Sequence, residues 1–226
     1  MPFYTAFLGV PILADEPDLR LISLQHNSIK RIQHLDTTFR LVFLDLYHNR
    51  LEQISGLEPL TNLRVLMLGK NRIRRIEGLT RCCRLSVLDL HGNRITQMSG
   101  LDNLAELKVL NLAGNQIRKI TNMQGLVSLE ELNIRRNRIR STTGLEAVPT
   151  LEKLFISNNE LQVLKSMSIN GESLVFNTFY FLEFGLFGKI GKFGTFTDNP
   201  NGRKSCLVFV RLFSLCRFCL APFKSS

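Results

Sequence analysis

The chain has 226 residues at 25.8 kDa, 44% of them hydrophobic, which is enough for one domain or two small ones around a buried core. A net charge of +10 and a pI near 9.7 point to an acidic partner, whether nucleic acid, an anionic membrane or an acidic protein tail, and do not choose among them. Five cysteines without even spacing argue against a disulfide framework and for a reducing compartment; no secretory signal opens the chain, and no apolar run reaches the roughly 18 residues of a membrane span.

Residues 1–18 carry three acids and no Lys or Arg, and GVPILADEPD (Gly9 to Asp18) ends an apolar start with prolines and acids. This stretch is predicted to be a partial coil that covers the first full one, because a stack of repeats exposes its hydrophobic interior at its ends. From Leu19 a 22-residue template recurs without a gap. Its seven coils start at Leu19, Leu41, Leu63, Leu85, Leu107, Leu129 and Leu151, and its clearest marker is the asparagine column Asn27, Asn49, Asn71, Asn93, Asn115, Asn137 and Asn159. The third coil, LRVLMLGKNRIRRIEGLTRCCR (Leu63 to Arg84), reads LxxLxLxxNxIxxIxxLxxLxx, the pattern of a leucine-rich repeat.

Within each coil an alternating segment such as Val65-Leu66-Met67-Leu68 predicts a short strand with one buried face, so stacked coils build a parallel sheet. The asparagine comes next, at a place screened from water, where its amide is expected to satisfy backbone groups at the turn. Ile29, Leu51, Ile73, Ile95, Ile117, Ile139 and Leu161 continue the core, as do Ile32, Ile54, Ile76, Met98, Ile120 and Leu164, with Thr142 the exception in that column. Gly56, Gly78, Gly100 and Gly144, with Asn122 in the equivalent slot, mark a turn that needs positive φ. The convex side then has room only for a short helical or 3₁₀ segment. The fold class is an α/β leucine-rich-repeat solenoid, right-handed, over residues 19–166.

The pattern stops after Leu164, and a coil starting near Ser173 would find neither its leucines nor its asparagine. Of 16 phenylalanines, 11 lie between Phe176 and Phe223, so residues 167–226 form a divergent, weakly ordered tail. Its CxxC, Cys216 and Cys219, has only Cys206 as a third ligand and makes a poor zinc site. The apolar run Cys206 to Ala221 is broken by Arg211 and Arg217, too short and charged to span a bilayer.

The seven coils resemble the 22-residue, SDS22-like class of leucine-rich repeats. Within it, VPILADEPDLRLISLQHNSIKRIQHL, LVFLDLYHNRLEQISGL, LRVLMLGKNRIRRIEGL and LSVLDLHGNRI are similar to the leucine-rich-repeat subunits of tubulin polyglutamylase complexes. That resemblance implies a non-catalytic scaffold that helps place a glutamate-adding enzyme on microtubules. Its implied partners are polyglutamylase subunits or tubulin, in the cytoplasm near microtubules or cilia. The wider class implies an alternative, a regulatory subunit that holds protein phosphatase 1 on its concave face.

Two residue sets are candidates for partner contact. On the concave face, Phe43, Val65, Val87 and Val109 continue a column begun by Leu21 and ended by Glu131 and Lys153; Asp45, Met67, Asp89 and Asn111 form the next; Tyr47 and His91 stand beside them. The column is either a binding stripe or a set of side chains that only cover one another, and Phe43 and Tyr47 are the favoured anchors. Just past the asparagines, Arg50, Arg72, Arg94 and Arg138, then Lys30, Arg74, Arg118 and Arg140, then Arg31, Arg75 and Lys119, line up as a basic edge roughly 25 to 30 Å long at about 4.8 Å per coil. It suits an acidic tail, or equally only a solvated turn rich in long polar side chains. Catalysis finds no support: Asp45 and Asp89 lie about 10 Å apart, too wide for a tuned acid and base pair, and no phosphate loop is present. No metal or cofactor is expected, and nucleic acid is disfavoured because the basic rows have no aromatics for bases to stack on.

Overall fold

The computed structural model describes residues 7–11 and 18–162, together with the backbone of three short strands beyond them. Seven three-residue strands succeed one another at the 22-residue interval: β1 (Leu21–Ser23), β2 (Phe43–Asp45), β3 (Val65–Met67), β4 (Val87–Asp89), β5 (Val109–Asn111), β6 (Glu131–Asn133) and β7 (Lys153–Phe155). Each pairs in parallel with the next and every register step is one coil, Phe43 against Val65, Val65 against Val87 and Val87 against Val109. The result is a solenoid with its sheet along one face. Of the remaining strands, β8 (Met167–Ile169) and β9 (Glu172–Leu174) form an antiparallel pair, and β10 (Leu207–Phe209) joins β7 as the eighth strand of the main sheet. The sheet therefore takes its eighth strand from far along the chain. Ser173, where a further coil would have begun, lies in the separate pair.

The core is a stack of identical layers. Leu44, Leu66, Leu88, Leu110, Leu132 and Leu154 point inward from the strand centres, and the column from Leu41 to Leu151, two residues before each strand, is buried with them, all without solvent exposure. Thr142 is buried in the column that otherwise holds Ile, Met and Leu. Val10 enters this core at the first coil, where the Phe7 N–H also donates to Asn27 Oδ1 at 3.0 Å.

The asparagines hold the coils together. From Asn49 on, each amide oxygen accepts an N–H from the coil before it, as Asn93 Oδ1 does from Ile73 at 3.0 Å, and each amide nitrogen donates to a carbonyl of that coil and to its own. Leu68 C=O thus receives Asn71 and Asn93, both at 3.0 Å, and Leu90 C=O receives Asn93 and Asn115, both at 3.0 Å. Two stacked amides fill the two lone pairs of one buried carbonyl, which is why a polar residue recurs among Leu and Ile.

The expected turn at Gly56, Gly78, Gly100, Asn122 and Gly144 is present, with φ of 72°, 70°, 67°, 57° and 104°. At Gly78 a Cβ would stand 2.5 Å from the Ile54 carbonyl oxygen, so the coil-to-coil approach itself requires glycine there. The convex segments beyond are mostly single turns. Backbone N–H groups reach back three residues at every third position, as in Leu60 to Leu57 and Leu63 to Leu60, and one run, Leu145–Ala147, forms a 3₁₀ helix. Core leucines at that spacing fix each turn separately, leaving no continuous helical segment to propagate.

Candidate functional site

On the concave face the parallel register puts Phe43, Val65, Val87 and Val109 side by side, each half-buried, next to the exposed Leu21. The stripe ends where Lys153 Nζ meets Glu131 Oε2 at 3.3 Å. Beside it, a shallow depression of about 190 Å³ is lined by Met67, Val87, Asp89, Val109, Asn111 and Glu131. Asp45, Asp89 and Asn111 are partly engaged by their own chain: their side-chain oxygens accept the N–H groups of Tyr47 (2.9 Å), His91 (2.9 Å) and Ala113 (3.2 Å). They hold the strand exits in place and keep only part of their hydrogen-bonding capacity for a partner.

Tyr47 and His91 come together although a whole coil lies between them. The intervening position is Gly69, and without a side chain there the two rings meet with centroids 5.6 Å apart. A Cβ on Gly69 would fall 2.5 Å from His91 Cε1. Asp89 fixes the His91 ring, Oδ1 lying 2.8 Å from Nδ1. Around Tyr47 gather His26 at 5.4 Å, His48 at 6.0 Å and Lys70, whose Nζ sits 5.4 Å from the ring centre. Gly69 is not among the residues expected from the sequence to shape the site, yet the gap it leaves in the column Gln25, Tyr47, Gly69, His91 is a visible signal.

A second backbone demand is equally absent from the sequence-based expectations. The residue before each asparagine is left-handed in every coil: His26, His48, Lys70, Gly92, Gly114, Arg136 and Asn158 have φ between 52° and 68°. Only Gly92, Gly114 and Asn158 announce it by residue type.

The basic edge lies past the asparagines on one flank. Arg50, Arg72, Arg74, Arg75, Arg94 and Arg118 are all exposed, and none has a carboxylate within salt-bridge distance among the described residues. Backbone bonds keep the column in register, Arg50 N–H to Ile29 C=O, Arg72 to Leu51 and Arg94 to Ile73, at 2.8 to 2.9 Å. At the first three coils the flank dips into a depression of about 240 Å³ lined by Lys30, Arg31, Arg50, Glu52, Gln53 and Arg72. Several other bases have partners: Arg40 with Asp18, Lys108 with Glu130 at 2.8 Å, and Arg140, at the far end of the Arg74 row, with Glu160 at 3.1 Å. The bond to Glu130 pushes the Lys108 ammonium above its ordinary pKa.

The family described as leucine-rich repeats in two copies matches residues 39–81 and 61–103, and a second leucine-rich-repeat family matches residues 83–139. Residues 39–139 are thus a run of leucine-rich repeats. Among solved structures, the leucine-rich-repeat chain is similar to internalin C2 of Listeria monocytogenes at 26% identity and a TM-score of 0.59, over 63% of this chain and 62% of that one. It is similar to internalin F of the same organism at 27% identity and 0.55, over 67% and 56%. The chain thus spans less than two thirds of either. The leucine-rich-repeat ectodomain of the plant receptor kinase GASSHO1/SCHENGEN3 from Arabidopsis thaliana, at 23% identity and 0.54 over 63% and 19%, shares the fold. No curated protein matches significantly.

Leucine-rich-repeat proteins are generally protein–protein interaction scaffolds. Among the described residues of this one, no three His, Cys, Asp or Glu side chains group as metal ligands, and no helix is long and apolar enough to cross a membrane. Of the adjacent Cys82 and Cys83, Cys82 is buried in the column of Leu60 and Leu104 and its thiol is pushed up to about 11, mainly by burial. The cysteines 206, 216 and 219 lie outside the described residues.

Proposed function

We propose that the protein is a non-enzymatic scaffold whose concave face, over coils two to five, holds a partner polypeptide. The observation that carries this is the half-buried stripe Phe43, Val65, Val87 and Val109 with the Tyr47 and His91 rings beside it. Aromatic and aliphatic side chains on a rigid sheet give up little conformational freedom on binding and dominate interface energies. The partner we infer is a subunit of a tubulin polyglutamylase complex acting near microtubules, on the strength of the sequence resemblance in the first four coils.

Affinity purification of the intact chain, with identification of the proteins retained, tests the assignment. A glutamate-ligase subunit is expected to be retained, and Phe43→Ala with Tyr47→Ala to lower its recovery at least about thirtyfold, as loss of an anchor worth about 2 kcal/mol or more implies. Retention of a phosphatase catalytic subunit instead, lost in the same variant, would transfer the concave face to the phosphatase reading. Recovery indifferent to both substitutions would rule the stripe out as the binding surface.

A further inference from the structure

We propose that the basic flank of coils one to five is a second binding site, separate from the concave face, for an extended acidic polypeptide segment rich in Glu or Asp. Three properties of the flank carry this. Its guanidinium groups over coils two to five are exposed and unpaired, whereas Arg40, Lys108 and Lys153 on other parts of the surface, and Arg140 where the flank ends, each meet a carboxylate. A chain that merely needed solubility would not require its unpaired charge to fall in register on one edge. The coil-to-coil backbone bonds fix that register at Arg50, Arg72 and Arg94, and the rows at Arg74 and Arg118 repeat it alongside.

The second property is length. From Lys30 to Arg118 the flank covers four coil steps of about 4.8 Å, about 19 Å, which an extended peptide crosses in about six residues at about 3.3 Å each. Such a segment alternates its carboxylates to two sides, and the flank offers basic rows on two sides of its line. Arginine forks suit carboxylates in this arrangement. The third is what the rows lack. Between coils one and five the other residues at these positions are Ser28, Glu52, Gln53, Thr96, Gln97 and Gln116, with no aromatic to stack on a base and no large apolar side chain to enter a bilayer. Glu52 is the single acid, and it sits in the depression between Lys30 and Arg72, where it excludes a closely packed anion from that spot but not a peptide passing over it. The proposal does not rest on the concave reading, and either can fail alone.

The probe is a fluorescein-labelled decaglutamate peptide titrated with the intact protein and monitored by anisotropy, in about 0.05 M and about 0.15 M salt. Binding is expected at the lower salt and should weaken at the higher. The double reversal Arg72→Glu with Arg74→Glu should raise Kd at least about tenfold, and Arg20→Glu with Arg81→Glu, two exposed bases off the flank, less than about threefold. Circular dichroism checks that both variants stay folded. Equal weakening by the two pairs would reduce the effect to net charge and overturn the site. So would tighter binding of an oligothymidylate of equal charge, which would make the flank a nucleic-acid surface, or no binding of decaglutamate at either salt.

Discussion

Replacing Asn93 with Ala should destabilise the protein by about 2–5 kcal/mol, a figure set by the groups its amide holds. Asn93 Oδ1 accepts the Ile73 N–H, a fully buried group for which no second acceptor is at hand. Orphaning it costs about 1–3 kcal/mol. The amide nitrogen donates to Leu68 and Leu90 C=O, both at 3.0 Å, and to His91 C=O at 3.3 Å. Leu68 keeps Asn71 and Leu90 keeps Asn115, so each loses one of two donors and the added cost is about 0.5–1 kcal/mol apiece. Against a typical total of about 5–15 kcal/mol this is a large share. Urea unfolding monitored by circular dichroism measures it. Asn27→Ala is the comparison, because Asn27 stitches the first coil only to the exposed Phe7 N–H and to two carbonyls of its own coil, and should cost about 1 kcal/mol. A loss at Asn93 no greater than at Asn27 would refute the ladder as the principal polar element of the stack.

Gly78 and Gly92 are both left-handed, but only Gly78 meets backbone, its Cβ position falling 2.5 Å from the Ile54 carbonyl oxygen, whereas at Gly92 the nearest atom is Lys70 Cγ at 3.4 Å. Gly92→Ala should therefore cost about 1–2 kcal/mol from the left-handed conformation alone, and Gly78→Ala should shift the urea midpoint clearly further; equal shifts would refute the steric argument. Cys82→Val, which places in coil three the residue that coil six carries at Val148, should change the pH dependence of stability. With the folded thiol held at about 11 and the unfolded one near 9.0, the native state keeps a proton that the unfolded state releases. The wild type should then lose about 2–3 kcal/mol relative to the variant between those two pH values and nothing below them. Parallel curves across that window would show that burial does not shift the thiol.

The sequence made legible whatever every coil must repeat. Strand centres, the asparagine ladder and the turn at Gly56, Gly78 and Gly100 impose the same requirement coil after coil, and only a few residue types meet each. It hid what several residue types can satisfy at a cost. The left-handed residue before the asparagine is His26, His48, Lys70 or Arg136 in coils where glycine would be easier, so its identity carries little signal. His34 occupies the Gly56 column in the same way, at φ 60°. Contacts that skip a coil are harder to read for a different reason: the Tyr47 and His91 rings meet because of an atom that is missing at Gly69, a gap visible in the column but not a pairing that the residue types announce.

Charge closure also divides the solenoid along its length. The concave stripe runs open from Phe43 to Val109 and is ended by Lys153 on Glu131; the basic flank runs open from Lys30 to Arg118 and is ended by Arg140 on Glu160. Both closures fall between the sixth and seventh coils, on two faces that share no side chain. The later coils thus have the same core and ladder as the earlier ones, while Lys153 and Arg140 are each closed by a carboxylate of the neighbouring coil and Arg138 stays open. A long polypeptide could engage both faces of coils one to five at once, since they are separated only by the asparagine turn. Joining two such contacts through one chain raises overall affinity by effective concentration without any new interaction. The double reversal at Arg72 and Arg74 should then weaken a bipartite partner and leave one that uses only the concave face unaffected.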